Sequence, residues 1–144
     1  MENFKYKYFI AGSTRNRENI LKVCNIFEDL DIPHYCFLKN KESHIEAGLD
    51  VNDENLADTF ESLPLNSEQV KIIFRNDLEG EKASESFLLV LPAGKSAHIE
   101  AGIAYGLGKK CYALGEYDVT DSLYSIFEKI FKDEEELKEF LKNK

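Results

Sequence analysis

The sequence lacks any long hydrophobic run. No apolar stretch approaches the ~20 residues of a helical membrane span, and Lys5 and Lys7 are followed by no signal-peptide core and cleavage site. No membrane partner is expected, and the chain reads as cytoplasmic. Basic residues are also short. Lys and Arg number 18 against 27 Asp and Glu, a formal charge of −9 with no dense basic stripe. Nucleic acid polymers are bound by neutralising phosphate charge, so a DNA or RNA partner is disfavoured before any motif is read. Cysteine is scarce. Cys24, Cys36 and Cys111 are odd in number and far apart, with no C-x-x-C pair, which points to buried thiols in a reducing compartment rather than to disulfides or a zinc site. His34, His44 and His98 lack the paired spacing of a metal site. Neither G-x-G-x-x-G nor a Walker A pattern occurs, so dinucleotide and P-loop folds lose support.

What is present is a globular composition, 43% hydrophobic and 31% charged over 144 residues, which fits one domain spanning 1–144. A chain of this length hides roughly 70% of its unfolded surface and needs no staples. Residues 5–12 read as a strand that enters a buried sheet, and Gly12 to Asn16 as a turn with Asn16 as helix cap. Ile20, Leu21, Val23, Cys24, Phe27 and Leu30 then fall at helical spacing, stopped by Asp31-Ile32-Pro33. His34 to Leu38 is a short strand, and the polar stretch Lys39 to Leu65 holds a helix near Asp53 to Ser62. Ser67 caps a helix with Val70, Ile73, Phe74 and Leu78 on its apolar stripe. Phe87 to Pro92 is the strongest strand signal, followed by a helix from about Ala97 to Leu107 that Gly108 ends as a left-handed cap. Lys110 to Leu114 is a further strand. Leu123, Ile126, Phe127, Ile130 and Phe131 are spaced as a helix, and Asp133 with Glu136 caps a last one, in which Glu134 precedes Lys138 by one turn.

Strands alternating with helices predict an α/β three-layer sandwich around a mainly parallel, flavodoxin- or Rossmann-like five-stranded sheet. Ligands of such sheets bind beyond the carboxyl ends of the strands, near a topological switch point. Two segments fall there. Pro92-Ala93-Gly94-Lys95-Ser96-Ala97-His98-Ile99-Glu100 ends a buried strand and opens a helix; Gly94 and Ser96 allow close approach of an anion to free N–H groups. With Ala97 near the start, Glu100 falls in the first turn, where the dipole favours its ionised form as a nucleophile or charge stabiliser. Gly12-Ser13-Thr14-Arg15-Asn16-Arg17 is a second small, polar and cationic turn, suited to phosphate through Ser13 and Arg15 or to ordinary capping. His44-Ile45-Glu46-Ala47-Gly48 recurs as His98-Ile99-Glu100-Ala101-Gly102. The first copy lacks the Pro92-x-Gly94 turn, which favours Glu100 over Glu46 as the functional carboxylate.

Tyr8-Phe9-Ile10-Ala11-Gly12-Ser13, the pair Asp77-Leu78 and the stretch Phe87 to Lys109 resemble the nucleoside 2-deoxyribosyltransferase family, whose relatives include the 2'-deoxynucleoside 5'-monophosphate N-hydrolases. The resemblance covers the first fifteen or so residues and about 75 to 115. It implies cleavage or transfer at the N-glycosidic bond of a nucleoside or nucleoside monophosphate, a small-molecule partner, no metal or redox cofactor, and a homodimer or larger assembly. Glu100 matches the catalytic glutamate, Tyr8 a tyrosine lining the site and Asp77 an aspartate that helps hold substrate. Gly12-Ser13-x-Arg15 looks more like the 5'-phosphate loop of the hydrolases. Two departures bear on base recognition: Gly94 stands where the transferases carry an aspartate, and Glu85 replaces the aspartate usual before the buried strand. Pro92-x-Gly94 with Glu100 also resembles the phosphate turn of the cytokinin-activating phosphoribohydrolases, with Ser96 and Ala97 in place of its second glycine and threonine. A non-catalytic nucleotide-binding module of the same fold is the rival expectation.

Overall fold

A computed structural model describes residues 3–50, 52–117 and 120–143. Five strands, β1 (Tyr6–Ala11), β2 (His34–Cys36), β3 (Ser84–Val90), β4 (Lys110–Leu114) and β5 (Phe127–Phe131), form one sheet in the order β2-β1-β3-β4-β5. Every pairing is parallel. The order reverses between β1 and β3, so the two central strands diverge at the switch point expected of a ligand crevice.

The helices are α1 (Arg17–Asp29), α2 (Lys41–Glu46), α3 (Leu56–Glu61), α4 (Glu68–Lys82), α5 (Lys95–Gly106) and α6 (Glu134–Lys142). Strand alternation sorts the core into two layers. Tyr8 and Ile10 of β1, with Leu88 and Val90 of β3, pack against Ile20, Val23 and Phe27 of α1 and Leu137 and Leu141 of α6. Phe9 and Ala11, with Phe87 and Leu89, face the other way, onto Ala97, Ala101 and Ala104 of α5. Three alanines at helical spacing let α5 lie close on the sheet. Among the described residues, no helix is long and apolar enough to cross a membrane. Cys24, Cys36 and Cys111 are buried free thiols.

Most boundaries follow the sequence. Ser67 accepts the Val70 N–H, Asp133 accepts the Glu136 N–H, and Gly108 has a φ of 80°. In α6 the ion pair formed by Lys138 is to Glu135 rather than to Glu134. The segment after β4 departs further. Ser122–Ile126 is a 3-10 turn and Phe127–Phe131 is strand β5, not a helix. Phe127, Ile130 and Phe131 suit a short strand as well as a helix, a known ambiguity of brief apolar runs. The open edge of β4 decides it, because its backbone groups need partners and β5 supplies them. β3 starts at Ser84, earlier than its apolar run, and Lys41–Glu46 forms a helix that the polar composition hides.

Candidate active site

Helix α5 begins at Lys95, with Gly94 as its N-cap, so Glu100 lies in the second turn and not in the first. The helix-end stabilisation expected of its carboxylate is therefore lost. Its surroundings act in the opposite sense. The Glu100 side chain is half-buried, near Asp77 and Glu81 of α4, and makes no hydrogen bond or ion pair among the described residues. Burial pushes its carboxyl up to about 8, and the charges of Asp77 and then Glu81 add to this. Near neutral pH it is largely a carboxylic acid that ionises as pH rises.

Asp77 and Glu81 sit one helical turn apart on α4, which places both on the same side. Asp77 is pushed by burial up to about 6, while the Tyr35 hydroxyl favours its charge. That hydroxyl, on β2, donates to Asp77 Oδ1 at 2.8 Å. Glu81 is 1% exposed, and its Oε2 has no hydrogen-bond partner. Burial raises it to about 8, against the pull of Lys109. The three carboxyls thus resist simultaneous ionisation.

The repeated pentapeptide shows why Glu100 is distinct. In both copies the histidine Nδ1 meets the carbonyl four residues earlier, His44 at Asn40 and His98 at Gly94. Their glutamates differ. Glu46 at the end of α2 is held by Arg75 Nη2 at 2.7 Å and Asn76 Nδ2 at 3.0 Å, both from α4. These donors hold its carboxyl below the usual range. Glu100 flanks the same helix and meets carboxyls instead of cations. His98 turns away from it, stacking on Tyr124 at 5.8 Å with its Nε2 2.9 Å from the Tyr124 hydroxyl.

Tyr8 is not brought to these carboxyls. Its parity on β1 sends it to the α1 and α6 layer, where it is 4% exposed and packs edge-on against Phe27 at 5.2 Å. Glu85, on β3, bears electrostatically on Tyr8 and Tyr112 in that layer and not on Glu100.

The turn after β1 is also busy with structure. A Cβ at Gly12 would lie 2.7 Å from Ile20 Cδ1 and 3.3 Å from the Val90 carbonyl, so glycine is required there for packing between strand and helix. Ser13 Oγ accepts the Arg15 N–H. Arg15 donates to Asp58 Oδ1 at 2.8 Å and to Glu61 of α3, so its guanidinium is shared by two exposed carboxylates. Asn16 places no side-chain cap on α1, and its amide reaches the Leu91 and Pro92 carbonyls, tying the two loops together. On the second loop, Gly94 and Ser96 are exposed. A Cβ at Gly94 would meet nothing within 4 Å, and its φ of −87° and ψ of −168° suit any residue.

Tyr35, Asn40 and Glu81 escape a reading of the sequence. Tyr35 follows His34 in a short strand and resembles core, and Glu81 reads as one charge in an acidic helix end. Only the run Glu79-Gly80-Glu81, with a glycine inside a helix, signals a close approach.

No protein-family model matches the chain, and no curated protein matches it. Its fold is nevertheless known. It is similar to the solved 2-deoxyribosyltransferase of the psychrotolerant bacterium Bacillus psychrosaccharolyticus, a biocatalyst for the synthesis of antiviral and antitumoral nucleosides. The two share 16% identity and a TM-score of 0.68 over 92% of this chain and 90% of that one. The chain therefore has the fold of a 2-deoxyribosyltransferase, and the likeness extends well past the segments in which its sequence shows it.

Proposed function

We propose that the protein cleaves or transfers at the N-glycosidic bond of a nucleoside, with Glu100 as the nucleophile. One observation carries this: at the position that matches the catalytic glutamate, the carboxyl is half-buried, unpartnered and surrounded by other carboxyls. A carboxylate so desolvated is a strong nucleophile once ionised. Glu100 attacks C1' of the sugar, and the C1'–N bond breaks with its electron pair leaving on the base. The base takes a proton. Water, or a ring N–H of a second base, then attacks C1', gives up its proton to solvent and frees the carboxylate. Oxocarbenium character at C1' is stabilised by the ionised carboxylate of Asp77. Asp77, with one oxygen held by Tyr35, has the other free for a sugar hydroxyl.

The substrate we infer is the nucleoside in preference to its 5'-monophosphate. Arg15, the residue expected to take a phosphate, is occupied by Asp58 and Glu61, and the chain carries −9 overall. Incubation with a panel of deoxynucleosides, ribonucleosides and their monophosphates, with free base followed by chromatography, tests the reading. Base is expected from deoxynucleosides first and from monophosphates least. No base from any of them, together with a thermal shift on binding, would instead establish a binding module. Gly94, which removes the family aspartate, is the observation that favours that second reading.

Gly94 also supplies a prediction. With no acid at this position, water protonates the departing base. Gly94→Asp fits without clash and adds a helix cap. General acid catalysis contributes roughly a hundredfold or more. Base release is expected to rise at least tenfold in this variant at pH 6 to 7, by an order-of-magnitude allowance for imperfect geometry. An unchanged rate would mean that protonation of the base is not limiting.

The assembly we propose is a homodimer through the outer face of α5. Ile99 and Tyr105 there are 62% and 56% exposed, and beside them a Cβ at Gly102 or Gly106 would meet nothing within 4 Å. A mid-helix glycine such as Gly102 costs ~1 kcal/mol relative to alanine, a cost that close packing of a second helix offsets. Sedimentation of the 16.5 kDa chain is expected to show twice that mass, and Tyr105→Glu to halve it. A monomer at micromolar concentration would exclude this arrangement.

A further inference from the structure

We propose that Tyr35 is a positioning residue of the candidate active site, which, together with Asn40, sets the orientation and the charge of Asp77. This rests on the function proposed above. The Tyr35 ring is clamped on three sides. It stacks on Phe9 at 5.1 Å and 7°, and meets Tyr6 edge-on at 5.5 Å. Above it lies Gly80 of α4, where a Cβ would come within 2.7 Å of the ring. Only glycine lets the helix descend this far, and the clamp holds the hydroxyl in one place.

The direction of the hydrogen bonds then follows from counting protons. The Asn40 side-chain amide donates to the Tyr35 oxygen at 2.8 Å. Asn40 is itself oriented, because its Oδ1 accepts the Ser43 N–H at 3.2 Å as the cap of α2. A hydroxyl has one hydrogen, so Tyr35 donates it to Asp77 Oδ1. Asp77 Oδ2 keeps no partner among the described residues and is the oxygen available to substrate.

The groups that face Asp77 are Tyr35 from β2, Glu81 on its own helix and Glu100 from α5; Lys109 bears on Glu81. Burial opposes an ionised Asp77, and Asp77 once ionised holds the other two carboxyls protonated to higher pH. The Tyr35 hydroxyl is the contact that favours the charge. Its loss leaves the aspartate protonated to higher pH, and a neutral Asp77 serves the sugar differently. A tyrosine that only filled space would leave that titration untouched.

The experiment compares wild type and Tyr35→Phe, which keeps the ring and its stacking. The Asp77 side-chain carboxyl is titrated by carbon-13 NMR, and kcat/KM for base release is followed against pH on the same proteins. In Tyr35→Phe the Asp77 midpoint is expected to rise by about one pH unit or more, consistent with a charge-assisted hydrogen bond. The rise of kcat/KM that follows Glu100 is expected to move, if at all, to lower pH, because a neutral Asp77 no longer opposes the ionised Glu100. An Asp77 midpoint unchanged in the variant overturns the proposal. Should wild type release no base, the proposed function fails, and the NMR titration still decides the part played by Tyr35.

Discussion

Glu100→Gln is expected to reduce base release by about a thousandfold or more, since loss of a catalytic nucleophile typically costs at least that. The substitution is nearly isosteric and removes a group that folding holds away from water, so the variant should fold and bind. Wild type should in turn depend on pH in a manner its environment dictates. Only the carboxylate of Glu100 attacks C1', and the group is pushed up to about 8 by burial, Asp77 and Glu81. Below that value the ionised fraction rises about tenfold per pH unit. Because kcat/KM reports the free enzyme, it should climb through pH 6 and 7 and flatten near 8. A flat profile over this range would mean that Glu100 is ionised already and that the site is wetter than its packing indicates.

The second large effect concerns stability. Glu81 is fully enclosed, with one oxygen unpartnered, and its carboxyl stands at about 8 against an ordinary 4.5. Below 4.5 both folded and unfolded chains carry the proton, and the group contributes no pH dependence. Above 4.5 the unfolded chain releases it while the folded chain keeps it. Folding then requires proton uptake, and stability falls as pH rises until about 8. Each unit of difference is about 1.4 kcal/mol, so the whole window is worth on the order of a few kcal/mol. Glu81→Gln removes this slope. Urea unfolding of both proteins should give a stability difference that grows in favour of the variant by a few kcal/mol between pH 4.5 and 8. A difference that stays constant with pH would show that Glu81 is ionised in the folded protein, through a partner such as Lys109.

The layout of this site explains what its sequence could disclose. Continuous apolar strands such as Phe87 to Val90 and capped helices such as α4 are local signals, and they locate the parallel sheet and the loops at the carboxyl ends of its strands. Glu100 is legible because small residues and a proline precede it. The tertiary features are not legible. Whether Tyr8 faces the Glu100 layer or the other layer depends on strand parity relative to helices placed much later in the chain. Arg15 looks like a phosphate ligand until α3 folds across it with Asp58 and Glu61. The conversion of 127–131 from apparent helix to strand is imposed by the edge of β4. Tyr35 becomes informative only because Gly80 lets α4 approach it and Asp77 lies one turn away.

The arrangement also accounts for the chain's acidity in a specific way. Most of the surplus carboxylates are solvated or paired, as Glu46 is with Arg75. The cluster of Asp77, Glu81 and Glu100 is different: Glu81 is buried, Asp77 and Glu100 are half-buried, and the three carboxyls lie near one another. Such a grouping costs stability, and the proposed reaction, in which positive charge develops at a sugar carbon, gives a reason for bearing that cost.

The most direct measurement is release of free base from a deoxynucleoside at pH 8, compared between wild type and Glu100→Gln. Release by wild type, and at least a thousandfold less by a folded Glu100→Gln, is the predicted result. Equal release by the two proteins would contradict the central claim that Glu100 carries the reaction.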